Sequence, residues 1–389
     1  MATLPARQVP YFVPDIGDDE IQEVVDTLKS GWLTTGPKTK QFEQQFAEFI
    51  GVEHAVAVNS ATSALQLALE AAGVREGDEV IVPTLTFAST AYVAVHLGAR
   101  PVLVDCLDDT LNIDPELVAR AVTPRTRAIV PVHYGGQPCE MDALSEIAAR
   151  HNLRIVEDAA HALPARYRGS RIGTLSEMTC FSFYANKTIT TGEGGMLTTD
   201  DEQLAQRARI MSMHGISKDA WKRFSAAGSW YYEITAAGYK FNMTDINAAL
   251  GLHQLRKCQR YWQRRAEIAG QYQAAFADVE ELTLPHVLPH VENAWHLYVI
   301  RLALEKLTID RAAFIEQLKQ AQVGSSVHYM PLHLHPYYRE QWGYRPESCP
   351  RATAIYEQII SLPIYPRMTD ADVEYVIETV RRIVKDHRR

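Results

Sequence analysis

Positive charge is in the minority in this chain. Lysine and arginine number 39 against 47 aspartates and glutamates, a formal net charge of −8. Such a balance argues against a nucleic-acid partner or an acidic membrane surface, both of which favour basic faces. It still permits a local basic pocket for a small anion. No stretch approaches the roughly 18 uninterrupted apolar residues of a spanning helix, so no membrane segment is expected. The opening run Met1–Gly17 lacks the basic region and apolar core of a secretory signal. Cysteines are few and odd in number, at 106, 139, 180, 258 and 349, with no CxxC pair. Buried, reduced thiols in a cytoplasmic protein fit that usage. There is no low-complexity tract and no internal repeat.

Several chemical signatures are missing as well. No G-x-x-x-x-G-K-[ST] and no G-x-G-x-x-G after a strand occurs, which removes support for nucleotide hydrolysis or dinucleotide binding. No H-E-x-x-H helix occurs either. His328, His333 and His335 cluster within His-Tyr-Met-Pro-Leu-His-Leu-His, but their spacing matches no structural Cys/His site, and no metal is expected. An edge of a substrate pocket is the better reading of that loop.

What is present is a large globular pattern. With 389 residues, 47% of them hydrophobic and 22% charged, the chain can bury a sizeable core in two or three domains of about 100–200 residues each. A first helix is expected from Asp18 and Asp19, with Ile21, Val24, Val25 and Leu28 at helical spacing and Gly31 as its C′ glycine. A turn-rich segment follows at Trp32–Pro37. From about residue 54, apolar strand-like runs alternate with helices. The strands are Ala55–Val58, Glu79–Val82, Val102–Asp105, Ala128–Val132, Leu153–Glu157 and Thr179–Phe183. Helices fall at Ala64–Ala72, Ala88–Leu97 and Asp142–Arg150. This alternation predicts an α/β architecture around a mostly parallel sheet, with chemistry gathered at the carboxyl ends of the strands. A long charged helix at Gln254–Phe276, a strand at Trp295–Leu302 and helices at Asp310–Gln322 and Asp370–Val384 read as a smaller α+β domain. The expected division is 1–255 and 256–389, with no flexible linker between the parts.

Four segments stand at strand ends. The first, Phe181-Ser182-Phe183-Tyr184-Ala185-Asn186-Lys187, is followed by Gly192-Glu193-Gly194-Gly195. A lysine held in a desolvated pocket has a lowered pKa and a nucleophilic amine; taken alone, such a lysine is ordinarily a solvated surface residue. The second, Ile155-Val156-Glu157-Asp158-Ala159-Ala160-His161, puts a carboxylate at a strand end. Asp158 suits a partner for a protonated ring nitrogen, and suits equally a helix N-cap. The third, Val58-Asn59-Ser60-Ala61-Thr62-Ser63-Ala64, reads as an anion-receptive helix start or as an ordinary cap. The fourth, Thr84-Leu85-Thr86-Phe87, offers an aromatic ring for stacking or for the core.

Taken in chain order, the third, fourth, second and first of these segments resemble the motifs of the DegT/DnrJ/EryC1/StrS family of sugar aminotransferases. The resemblance runs through Gly31–Pro37, Thr123–Gly136, Gly238–Gly251 and Ser361–Pro366 and so covers essentially the whole chain. Within the family, the forms of the third and second segments and of Gly238–Asn242 are most similar to UDP-4-amino-4-deoxy-L-arabinose aminotransferases. The resemblance implies fold type I with a mixed, seven-stranded type of sheet, and pyridoxal phosphate as cofactor, passing through pyridoxamine phosphate. It implies that Lys187 carries the cofactor as a Schiff base and that Asp158 partners the pyridine nitrogen. His161 would lie near the ring's 3-hydroxyl, Ala61, Thr62 and Ser182 at the phosphate, and Phe87 against the ring. A homodimer with shared active sites is implied too, with Gly-Tyr-Lys-Phe-Asn at 238–242 lent by the neighbour. Many relatives carry GYNYR there, so whether Lys240 or Asn242 reaches the phosphate stays open. Tyr184 stands where many relatives have histidine, and its role is not carried over. Thr35, Tyr329 and His333 are the expected substrate contacts.

The implied reaction moves an amino group from L-glutamate to a nucleotide-linked 4-keto sugar. A 3-keto sugar or a keto-inositol remains an alternative, as does a catalytically inactive sugar-nucleotide regulator. Dehydratases of the same fold replace the lysine by histidine, and position 187 is lysine. His214-Gly215, ahead of Trp230-Tyr231-Tyr232, reads as a loop that covers the site or packs on the partner subunit.

Overall fold

The computed structural model describes residues 7–216 and 231–389. Its first helix, α1 (Asp18–Ser30), ends where Gly31 turns left-handed at φ 75°, the conformation that glycine adopts without a Cβ penalty. Helix α2 (Pro37–Ile50) leads into β1 (His54–Val58), α3 (Ala61–Ala71), β2 (Glu79–Pro83), α4 (Ser89–His96) and β3 (Arg100–Val104). Then come α5 (Pro115–Ala121), β4 (Thr126–Ile129), α6 (Met141–His151) and β5 (Arg154–Asp158). The short strands β6 (Arg166–Tyr167) and β7 (Ser170–Arg171) precede β8 (Met178–Ser182), β9 (Gly195–Thr199) and α7 (Glu202–Ser212).

Seven strands form one sheet in the order β1-β9-β8-β5-β4-β2-β3. Every pairing is parallel except those of β9 with β1 and β8, so β9 alone runs backwards. The expected strands all occur, with ends shifted by up to three residues; β4 begins and ends earlier than the predicted Ala128–Val132. Strand β9 was not anticipated, because its glycine-rich approach conceals it. Alternate side chains leave each strand on opposite faces. Val56, Val58, Val80, Val82 and Val156 join α3, α4 and α7 in one core. Ala55, Ala57, Ile81 and Ile155 join α2 and α6 in the other. Covered faces on both sides explain why these strands read as near-continuous apolar runs.

Helix α8 (Asp245–Phe276) starts earlier than the expected Gln254 and continues unbroken through residue 255. Its second half packs with β12 (Tyr298–Leu302), β13 (Ile359–Leu362), α9 (Arg311–Gln320) and α12 (Asp370–His387), reached after the short β10 (Leu282–Thr283) and β11 (Val291–Glu292) and around α10 (Pro336–Trp342) and α11 (Pro350–Tyr356). Strand β12 starts later than the predicted Trp295 because Trp295 adopts φ 54°, which breaks extended pairing. No helix among the described residues is long and apolar enough to cross a membrane.

Candidate active site

Because β1, β2, β5 and β8 are parallel, their carboxyl ends lie along one edge of the sheet. Asp158 is the last residue of β5 and is 4% exposed. Its Oδ2 accepts from the Thr90 hydroxyl at 2.8 Å and its Oδ1 from the Ala160 amide at 3.1 Å. Thr90 in turn meets the Thr86 hydroxyl at 2.8 Å, so the segment after β2 helps to fix the carboxylate. Burial raises the pKa of Asp158, opposed by Thr90, Ala160, Lys187 and His133. A cation placed against it would relieve that cost. The preceding residue faces the other way: Glu157 takes His133 Nε2 at 2.8 Å and the Ser176 and Thr179 hydroxyls at 2.7 and 3.0 Å.

Lys187 follows β8 in a tight turn whose amide donates to the Tyr184 carbonyl at 2.9 Å. Burial lowers its pKa to about 8, with Arg265 adding to the effect and Asp158 opposing it. Its Nζ lies 3.4 Å from His296 Nε2. Sequence reasoning missed His296, and Thr90 as well. The His161 ring stands 4.4 Å from that of His296, and its tautomer is fixed by its neighbours. Nδ1 accepts from the Gly135 amide at 3.3 Å, so Nε2 carries the proton and donates to Tyr329 Oη at 3.0 Å. The Tyr329 proton is thereby left to point elsewhere. Burial keeps His161 uncharged, its pKa well below the usual histidine range. Phe87, 58% exposed, lies with its ring 6.0 Å from that of Tyr329.

The start of α3 completes this edge. Ser60 caps the helix by accepting from the Ser63 amide at 3.1 Å, and the Ala64 amide returns to the Ser60 carbonyl. The amides of Ala61 and Thr62 have no acceptor among the described residues, which suits an anion. Gly195 brings Ser182 to the same place: it pairs with Ser182 across the sheet, and a Cβ there would fall 2.6 Å from the Ala61 nitrogen. An aromatic ring, an amine, a buried carboxylate and a helix N-terminus thus lie along one edge of the sheet, and their chemistry fits a planar cationic ring bearing a carbonyl and a phosphate.

Asn242 lies beside this edge: it bridges Val58 at the end of β1, and the Asn59 amide donates to the Phe241 carbonyl at 2.7 Å. Asn242 Nδ2 donates to Thr35 Oγ1 at 2.6 Å, and Thr35 donates to the Met243 carbonyl; Lys240 is exposed. Neither Lys240 nor Asn242 has a hydrogen bond to Lys187 or Asp158 among the described residues. His333 is 0% exposed, with Nδ1 2.7 Å from Thr84 Oγ1 and Nε2 2.8 Å from Thr353 Oγ1. Both ring nitrogens join α11 to the segment after β2. The other two histidines of that loop take different partners, His328 the Ser361 hydroxyl and His335 the Met330 carbonyl. Of the aromatic stretch after His214-Gly215, Trp230 lies outside the described residues, while Tyr231 and Tyr232 are exposed.

Known proteins resemble this chain over nearly its whole length. The profile of the DegT/DnrJ/EryC1/StrS aminotransferase family matches residues 14–381. The spore coat polysaccharide biosynthesis protein SpsC of Bacillus subtilis is 53% identical over 378 residues, covering 97% of each chain. Spr1654 of Streptococcus pneumoniae, assigned as a sugar aminotransferase, has been solved in PLP and PMP forms. Its PLP form superimposes with TM-score 0.91 at 38% identity, covering 98% of this chain and 99% of that one. Helicobacter pylori PseC, an aminotransferase involved in the biosynthesis of pseudoaminic acid, gives TM-score 0.91 at 30% identity over 98% and 100% of the two chains. The chain belongs to the DegT/DnrJ/EryC1/StrS family and is a pyridoxal-phosphate-dependent sugar aminotransferase with the family's α/β fold.

Proposed function

We propose that this enzyme transfers the amino group of L-glutamate to a nucleotide-linked 4-keto sugar, giving the 4-amino sugar. The observation that carries the reading is a buried Lys187 amine under the electrostatic influence of the buried Asp158 carboxylate, on an edge that also holds the open start of α3. When bound, pyridoxal phosphate supplies an electron sink for the charge left on carbon when a proton departs. Ala61, Thr62 and Ser182 would hold its phosphate, Phe87 and His161 would contact its ring, and Asp158 would keep the ring nitrogen protonated. Lys187 Nζ makes the covalent attachment and, when released, removes and returns a proton as general base and acid. Burial helps here, since an amine titrating near about 8 is in part unprotonated at neutral pH.

The 4-keto position, and the likeness to UDP-4-amino-4-deoxy-L-arabinose aminotransferases, rest on the Gly238–Asn242 and Glu157–Ala162 sequence forms. Thr35 and Tyr329 stay as substrate contacts in the proposal; binding energy from the distant nucleotide orients the small ketone. The exposed apolar residues Ile21, Leu28, Trp32 and Leu33 support a homodimer, in which Lys240 or Asn242 of one protomer serves the phosphate of the other. Five unpaired, buried cysteines support a cytoplasmic setting. The division into 1–255 and 256–389 belongs to the same reading, supported by the separate core around β12, β13 and α12.

A panel of nucleotide-linked 3-keto and 4-keto sugars with glutamate, read by mass spectrometry, tests this. Turnover confined to the 4-keto members is expected. A cyclic polyol ketone as the only productive acceptor refutes the sugar-nucleotide reading.

A further inference from the structure

His296 is 4% exposed, and its Nδ1 has no hydrogen-bond partner among the described residues. Its Nε2 faces Lys187 Nζ at 3.4 Å. Burial, reinforced by Lys187, His161, Arg265 and His328, holds the ring uncharged. A neutral imidazole carries one proton. On Nδ1 that proton would be a buried donor with no acceptor, which native structures tolerate less well than a bare acceptor. The proton therefore belongs on Nε2. An Nε2–H aimed at Nζ is satisfied only by a lone pair, because an ammonium would set donor against donor.

The ring is also held in place. Arg265, 2% exposed on α8, donates through Nη1 to the carbonyls of Trp295, His296 and Ile364 at 3.3, 3.3 and 2.7 Å, and the His161 ring packs on its side. We propose that His296 is a further catalytic residue, whose Nε2–H donates to Lys187 Nζ and keeps that amine unprotonated and aimed for reaction. This rests on the reading of Lys187 as the reacting amine.

The other groups facing the pair divide. Asp158 favours the ammonium, and Arg265 favours the free amine. His161 is neutral, and burial lowers His328 to about 4. Burial raises Tyr329 and Tyr11 above the usual phenol range, leaving both uncharged. Asp15, Tyr261 and Tyr365 line the small cavity behind Lys187 together with Arg265. Only His296 is set within hydrogen-bonding distance of Nζ among the described residues.

The test uses cofactor-free protein, so it does not depend on turnover. Competitive acetylation of Lys187 across pH, quantified by peptide mass spectrometry, reports the amine's ionisation. The midpoint is expected near about 8 in the wild type. In His296→Leu it rises by about one pH unit, a tenfold change in the ionisation constant. His296→Gln, which presents an N–H donor, stays near the wild type. A midpoint that is unchanged or lower in His296→Leu overturns the proposal. Should that variant fail to fold, ¹⁵N shifts of the wild-type histidines decide: protonated Nε2 at His296 is expected, and protonated Nδ1 contradicts it. Borohydride fixation of pyridoxal phosphate on Lys187 in the same proteins reports separately on the reading of Lys187 itself.

Discussion

Two histidine-bearing clusters differ in how fully their polar atoms are used. Around His333, both ring nitrogens and the Thr84 and Thr353 hydroxyls are joined to one another inside the protein. Around Lys187, a buried amine, a carboxylate with raised pKa, a histidine with an unpartnered nitrogen and two open helix amides leave polar capacity unused. Saturation marks a joint that holds two segments together. Polar capacity left unspent at a covered edge marks a place for a ligand, because burial makes such groups costly unless something completes them.

Substitutions that delete the unspent groups give the strongest breaks in this contrast. Lys187→Ala is expected to lower the rate with glutamate by roughly 10⁴-fold or more, with far-ultraviolet circular dichroism unchanged. Asp158→Asn, which removes the charge but keeps the size, should cost roughly 10²–10³-fold in kcat; Lys187 still fixes the cofactor in that variant. A smaller change comes from pH alone. The free-amine fraction of Lys187 grows as pH rises through about 8, so the rate of cofactor capture by apo-protein should increase roughly fivefold from pH 7 to pH 8 and level off above. A flat profile over that range would count against a buried, depressed lysine. Thr90→Val takes one hydrogen bond from Asp158 and should cost about tenfold in kcat while KM for the sugar holds.

The saturated cluster predicts the opposite pattern. His333→Leu takes one partner from each of the Thr84 and Thr353 hydroxyls and should cost about 1–3 kcal/mol of stability in denaturant unfolding. Activity per folded molecule should stay within about twofold. A large fall in kcat with stability intact would restore His333 as a substrate contact.

Much of this was legible in the sequence, for identifiable reasons. The strand ends could be read because both faces of the sheet are covered, and the order of motifs along them drew Lys187 and Asp158 together. Strand β9 escaped because Gly192–Gly195 resembles a loop; the residue at its head, Gly195, is what lets the chain approach Ala61. His296 escaped because Trp295–Leu302 reads as one strand, whereas the positive φ of Trp295 swings the following ring toward Lys187. Arg265 sits among charged neighbours on a long helix and looks solvated there, yet its partners are all carbonyls from distant segments. At His333 the sequence shows only a histidine in a polar loop, which invites a ligand; its joint with Thr84 and Thr353 is visible only in the fold.

The most direct test of the central claim is borohydride reduction of the protein loaded with pyridoxal phosphate, followed by peptide mapping. The account predicts one modified peptide, carrying the cofactor on Lys187 and absent from Lys187→Ala. Modification at another lysine, or an unaltered yield in Lys187→Ala, would contradict it.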